Sequence, residues 1–333
     1  MAVTMKDVAK KAGVSIKTVS RVINKQGEIS EETRQNILQI IEELGYRPNR
    51  LARSLLTGKT YTIGVIISDI TDPFFPDLLL GAEQAARERN FNVFLCNANR
   101  DPDLELHYVN VLKDRRVDGL LLAGSRLQEE GLKNAIKGMH AVALSAYAVP
   151  EANVFSISEF DASMEVGSYL LSLGHRQVAY IDGGWAGSSQ NRRSGFMKAF
   201  HDANIAADQI ITVSALPASV ENGHTTAVAL LSKNSHITAI ACYNDMLAIG
   251  TLLAARDVGL KVPDDLSVIG FDDIPEANRS NPPLTTVHFD RYQLGVDMMD
   301  RLLNAVDKKS AKYERIPVEG YLLQRQSCKS IDK

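Results

Sequence analysis

Cysteine is scarce: Cys96, Cys242 and Cys328 are the only three in 333 residues. An odd, widely spaced set excludes a disulfide framework and predicts reduced, buried thiols. Seven histidines (107, 140, 175, 201, 224, 236 and 288) show no metal-ligand spacing, so no metal is expected. No apolar run approaches the roughly 18 residues of a membrane helix. The start, from Met1 to Asp7, lacks the apolar stretch of a signal peptide, and a cytoplasmic protein without membrane contact is expected. No GxGxxG follows a strand, and neither a Walker loop nor a nucleophile elbow occurs. Gly183-Gly184 resembles a phosphate loop only faintly. Nothing nominates a nucleophile, a base or a cofactor, so the expectation is a protein that is not an enzyme.

What is present is unevenly distributed. Residues 1–60 hold 11 Lys/Arg against 6 Asp/Glu, a balance of +5, while the remainder holds 26 against 34, a balance of −8. A basic head on an acidic body suits a head that meets a polyanion while the body stays off it.

The head reads as three short helices. Thr4 can N-cap the first, with Asp7 three residues on as capping-box partner; Met5, Val8, Ala9 and Ala12 form its inner stripe, and Gly13 ends it. Ser15 caps a second helix to about Asn24, with Val19, Val22 and Ile23 inward and Ile16, Lys17, Ser20 and Arg21 outward. Ser30 caps a third, with Glu31 and Glu32 in its first turn and Ile37, Ile40, Ile41 and Leu44 as its stripe. Two short helices joined by a tight turn and braced by a third form a helix-turn-helix unit. At about 15 Å, the second helix fits one major groove. There Arg21 can pair bidentately with guanine, and Lys17 can meet a base or a phosphate. The hydroxyls of Thr4, Ser15, Thr18 and Ser20, and the amide of Asn24, suit phosphate positioning. Pro48 then breaks the chain, and residues 49–55 are too few for an isolated stable helix.

From Tyr61 the pattern becomes α/β. Strand candidates at 62–68, 92–96, 119–122, 141–144, 177–181, 210–213, 238–241 and 267–270 alternate with amphipathic helices, one of them at 162–173. This order implies parallel sheets with helices on both faces, and the count suggests two doubly wound halves. Ligands of such folds lie beyond the carboxyl ends of the strands. Those ends carry Asp69-Ile-Thr-Asp-Pro-Phe-Phe75, Ser125, Arg192, Asn244-Asp245 and Gly270-Phe-Asp-Asp273. Aromatic faces, an arginine fork, an amide and carboxylates suit a polar, ring-shaped ligand such as a sugar or nucleoside. His175, after Gly174, is expected to order a turn.

Two runs in the head, MKDVAKKAGVSIKTVSRVIN at 5–24 and LGYRPNRLARSL at 44–55, resemble the LacI/GalR family of bacterial transcription regulators. In the body the likeness continues through Asp-Pro-Phe-Phe, Gly-His-Arg, Arg-x-x-Gly-Phe, Asn-Asp-Met-Leu-Ala-Ile-Gly, Gly-Phe-Asp-Asp and Asn281-Pro-Pro-Leu-Thr-Thr-Val287, so that it spans residues 4–328. The resemblance implies a helix-turn-helix domain at 1–47, a hinge helix at 48–58 and a periplasmic-binding-protein-like body at 61–333. The body would comprise an N-subdomain (about 61–158 and 290–320) and a C-subdomain (about 159–289 and 321–333), with hinge motion near Ser158, Asp290 and Gly320. It further implies that Ile16 and Lys17 set operator preference, an apolar Ile16 favouring a thymine methyl. Leu55 would be the minor-groove wedge of the hinge helix, with Asn49, Ala52 and Arg53 nearby. Effector contacts carry over to Phe74, Phe75, Ser125, Arg192, Asn244 and Asp272.

Two positions depart from the pattern. Ala218 stands where many members place a stacking aromatic before a turn at Gly223, and Ser145 where many have Asp, so either Trp185 supplies the missing face or the ligand differs in shape. The expected function is a repressor that binds a pseudo-palindromic double-stranded operator as a homodimer, under control of a small-molecule effector. Lacking a leucine heptad tail, it is expected to be a dimer rather than a tetramer. The alternatives are a solute-binding sensor with an accessory head, or an α/β enzyme acting on sugars or nucleosides.

Overall fold

A computed structural model describes residues 3–23, 27–46, 58–144, 152–184, 186–206, 209–308 and 313–331. The chain divides into two compact units, Met1–Thr60 and Tyr61–Lys333. The expected hinge helix falls almost wholly outside the described residues.

The head contains α1 (Met5–Ala12), α2 (Ile16–Ile23) and α3 (Glu31–Glu43). The Asp7 carboxylate accepts from the Thr4 amide at 2.8 Å and from its hydroxyl at 2.7 Å. At the other end of α1, Gly13 takes a left-handed φ of +66°, which glycine adopts without a Cβ clash. The close of α3 is a Schellman motif: the Tyr46 amide reaches the Ile41 carbonyl and the Gly45 amide that of Glu42. Val8, Ala9, Val19, Val22, Ile37, Ile40 and Tyr46 form a single small core. Each large member adds about 1.5–3 kcal/mol by leaving water.

The body contains two parallel sheets. The first has the order β11-β5-β4-β3-β1-β2, with β1 (Thr62–Ile67), β2 (Asn92–Asn97), β3 (Gly119–Ala123), β4 (Ala141–Leu144), β5 (Asn153–Ile157) and β11 (Arg315–Val318). Helices α4 (Phe75–Glu88) and α12 (Arg291–Lys308) cover one face, and α5 (Pro102–Asp114) and α6 (Glu129–Ile136) the other. The second sheet has the order β7-β6-β8-β9, with β6 (Val178–Asp182), β7 (Ile211–Ser214), β8 (Ala239–Cys242) and β9 (Ser267–Ile269). Its faces are covered by α7 (Glu159–Ser172) and α8 (Ala186–Asp202) on one side, and by α9 (Val220–Lys233), α10 (Asp245–Asp257) and the short α11 (Pro275–Arg279) on the other. The fully buried central strands are continuous apolar runs, as parallel sheets require.

Three crossings join the halves. The chain leaves β5 for α7 at Ser158, leaves β10 (Thr286–His288) for α12 around Asp290, and passes from β11 to β12 (Tyr321–Leu323) through Gly320. The Ser158 amide bonds the Val318 carbonyl, so two of these crossings run side by side.

Several expectations require correction. β5 and β10–β12 are not among the strand candidates, because strands of three to five residues, two of them interrupted by Ser156 or Pro317, carry little periodic signal. The helix expected from Ala162 begins at Glu159, whose charge sits favourably in the first turn with Asp161. Gly223 lies inside α9 rather than in a turn: a Cβ there would meet the Leu247 backbone carbonyl at 2.6 Å. Of the thiols, Cys242 is buried, whereas Cys96 and Cys328 are partly exposed.

Candidate functional site

On α2 the outward face is built as the spacing requires. Ile16 is 44% exposed. Lys17 and Arg21 are also exposed, and Thr18 and Ser20 are half-buried. The Ser15 hydroxyl accepts from the Thr18 amide at 3.1 Å and lies 2.9 Å from the Thr18 hydroxyl. The Thr4, Ser15 and Thr18 hydroxyls therefore serve first as caps and local bonds. Thr4 and Ser15 are exposed, so a further bond to phosphate remains open to them. Asn24, Asn49, Ala52, Arg53 and Leu55 lie outside the described residues.

In the body, a cleft enclosing about 980 Å³, its open mouth included, lies between the carboxyl ends of the two sheets. It brings together all six residues nominated from the sequence: Phe74, Phe75, Ser125, Arg192, Asn244 and Asp272. Phe74 and Phe75, at the start of α4, meet edge to face with centroids 5.4 Å apart. The Asp72 carboxylate fixes that turn by accepting from the Phe74 amide at 3.1 Å. Ser125 follows β3 and donates to Glu105 at 2.6 Å; burial pushes the Glu105 carboxyl upward. Asn244 caps α10, its Oδ1 accepting from the Leu247 amide at 3.1 Å, which leaves the two N–H donors of its amide available at the cleft.

Arg192 is the most constrained side chain of the cleft. Its guanidinium lies 3.8 Å from the Phe271 ring centroid and 4.5 Å from that of Tyr243. Nε lies 3.2 Å from Glu159, and Nη1 donates to the Tyr243 carbonyl at 2.7 Å. Asp272 Oδ1 is 3.2 Å from Nη1, yet out of line, so this buried oxygen has no hydrogen-bond donor among the described residues. Asp272 is 6% exposed and takes a left-handed φ of +111°, sparsely populated for a residue with a Cβ. Burial pushes its carboxyl up to about 7, against the pull of Arg192 and with a further push from Asp72. An orphaned acceptor beside a stacked arginine is what a ligand hydroxyl or N–H would complete.

Asp72, from the strand-end run at 69–75, also lines the cleft, and sequence reasoning missed further lining residues: Arg100, Arg126, Glu159 and Tyr243. Arg100 pairs with Asp69 at 2.9 Å, and Arg126 donates to the Ser68 hydroxyl at 3.3 Å. Arg100 lies just past the end of β2, so the rule that nominated the other residues could have found it. Ala218 is packed in the core of the second sheet and does not line the cleft. Ser145 and Trp185 are outside the described residues. A Cβ on Gly183 would meet Leu247 at 2.4 Å, and one on Gly184 the Tyr243 ring at 2.2 Å, so both glycines permit close packing. His175 is 2.9 Å from the Thr238 hydroxyl and 3.1 Å from the Lys329 carbonyl, and it orders its turn as expected.

Residues 4–49 match the bacterial regulatory proteins of the lacI family, and residues 60–326 match the periplasmic binding proteins and sugar binding domain of that family. A relative named HTH-type transcriptional repressor PurR, from Mannheimia succiniciproducens, is 33% identical over 98% of this chain and 99% of its own. The lac repressor dimer bound to operator and the anti-inducer ONPF superposes with a TM-score of 0.88 at 27% identity, covering 99% of this chain and 100% of that one. A LacI-family transcriptional regulator from Enterococcus faecium, with bound ribose, matches with a TM-score of 0.75 at 28% identity, over 81% of this chain and 100% of its own. These relatives are named as regulators, not enzymes. This chain, with its helix-turn-helix head and two-sheet sensing body, belongs to the LacI family of bacterial regulatory proteins.

Proposed function

We propose that the protein is a cytoplasmic repressor that binds a pseudo-palindromic operator as a homodimer, and that a sugar- or nucleoside-class ligand in the cleft controls this binding. The carrying observation is the convergence of Phe74, Phe75, Ser125, Arg192, Asn244 and Asp272 on one cleft between two linked halves. Two aromatic edges with an amide, a fork and an orphaned carboxylate oxygen suit a ring bearing several hydroxyl or N–H groups. The ribose in the Enterococcus faecium relative supports the sugar class.

The exposed Ile16, Lys17 and Arg21 are the base-reading side chains: Arg21 for guanine, Ile16 for a thymine methyl, Lys17 for a base or phosphate. One short helix reads only a few base pairs, so two heads on two half-sites are required. Edge strand β2 exposes Phe94 and Leu95, and α4 exposes Leu80, apolar side chains of the kind a second copy covers. The half-boundaries near 158, 290 and 320 are where the body would open and close. Ligand shifts DNA affinity only if it binds the two arrangements unequally.

A gel shift against the DNA upstream of its own gene, with excess bulk competitor, tests the DNA reading. Arg21→Ala should lose the shifted band while the fold persists. Leu55→Ser should weaken operator binding if residues 48–58 act as a hinge wedge, and unchanged affinity would make them a plain linker. Thermal-shift screening of sugars, sugar phosphates and nucleosides tests the cleft; no stabilisation by any of them would remove the ligand class proposed.

A further inference from the structure

Bonded to the backbone at Asp272 is a second buried arginine, which the family resemblance did not nominate. Arg291 is the first residue of α12 and is 7% exposed. Its Nη1 donates to the backbone carbonyls of Asp272 and, at 2.8 Å, Asp273. Both residues have left-handed backbones, with φ of +111° and +52°. Its Nη2 donates at 2.9 Å to the carboxylate of Asp77, in the first turn of α4 and two residues beyond Phe75. Helices α12 and α4 both cover the first sheet, whereas Asp272 and Asp273 follow β9 of the second. One guanidinium thus bonds the two halves together directly under the cleft.

We infer that Arg291 is a positioning residue: it holds the 272–273 loop in its strained conformation and couples Asp272 in one wall to the Phe74–Phe75 turn in the other. Two carbonyls facing one fork stabilise a backbone that a non-glycine residue otherwise avoids. Asp77 supplies the countercharge that aims the fork. Arg291 Nε is buried without a partner among the described residues. The side chain therefore bears an uncompensated desolvation cost that bonds at both ends must offset. The next residue, Asp273, is held from the other side by Arg325 at 2.6 Å and His288 at 2.7 Å, so the loop has no slack there. A ligand that draws the halves together or apart has to lengthen or shorten the Arg291 bonds, which makes them part of the coupling between cleft and hinge. This role rests on reading the cleft as the effector site.

Amide hydrogen exchange on the full-length protein tests it without DNA or ligand, so it can fail while the gel shift succeeds. Arg291→Gln should speed exchange in residues 271–274 and 74–78 by about tenfold or more, with strands β6 and β8 unchanged. Asp77→Asn, which removes only the countercharge, should give a smaller acceleration in the same two segments, and Arg291→Lys should fall between wild type and Arg291→Gln. Unaltered exchange in these segments would overturn the proposal. So would a uniform rise across both sheets with a lowered Tm, because that is the signature of a merely structural residue.

Discussion

The head and the body of this chain place their polar groups in opposite ways. In the head, the side chains proposed to read DNA stand on the outer face of one eight-residue helix, and among the described residues of the head no charged side chain is buried. In the body, the cleft-lining charges Arg192 and Asp272 are buried and fixed by neighbours far away in the chain. Exposed readers can be exchanged at little cost to folding, so operator preference can change freely. Buried sensors are tied into the fold itself, and changing one alters both stability and response.

The largest expected effect tests the buried side of that contrast. Arg192→Ala leaves Glu159 and Asp272 buried without their shared cation and should destabilise the body by about 3–5 kcal/mol, read by denaturant unfolding. Arg21→Ala should leave unfolding within about 0.5 kcal/mol of wild type, yet cost operator affinity about 1–3 kcal/mol in fluorescence anisotropy. If the two substitutions destabilised equally, the contrast would be gone. Next comes pH. Asp272 titrates near 7, above its ordinary 3.8, so its contribution to stability is greatest in acid and is lost as pH rises from about 4 to about 7. A ligand donor bonds the ionised carboxylate more strongly than the neutral acid, so affinity for a ligand that engages Asp272 should rise between pH 6 and pH 8, by up to about tenfold. In Asp272→Asn that pH dependence should vanish in calorimetric titrations. The smallest effect lies in the head: Thr4→Ala removes a cap and should lower head stability by about 1 kcal/mol, seen in its melting transition.

The same contrast explains what could be read in advance. The three head helices follow from caps and apolar spacing within a dozen residues, and the bonds that close them are local: Thr4 with Asp7, Ser15 with Thr18, Gly45 with Glu42. Buried parallel strands announce themselves as apolar runs, and their carboxyl ends pointed to the segments in which the family resemblance then singled out six residues that line the cleft. The partners that hold the cleft and its supporting residues were invisible. Glu105 holds Ser125 across 20 positions, Glu159 faces Arg192 across 33, and Asp77 reaches Arg291 across 214. No periodicity encodes such pairs; the topology brings them together. The short strands β10 and β12 were missed for a related reason, since three residues bounded by crossings carry no repeat to detect.

The central claim is that reading helix and cleft are two ends of one switch, and linkage measures this directly. Operator Kd should be determined with and without a ligand found in the thermal-shift screen, and that ligand's Kd with and without operator. The account predicts that both ratios depart from one by the same factor, within about 5–150-fold. Ratios of one in both directions, with tight binding at each site, would contradict it.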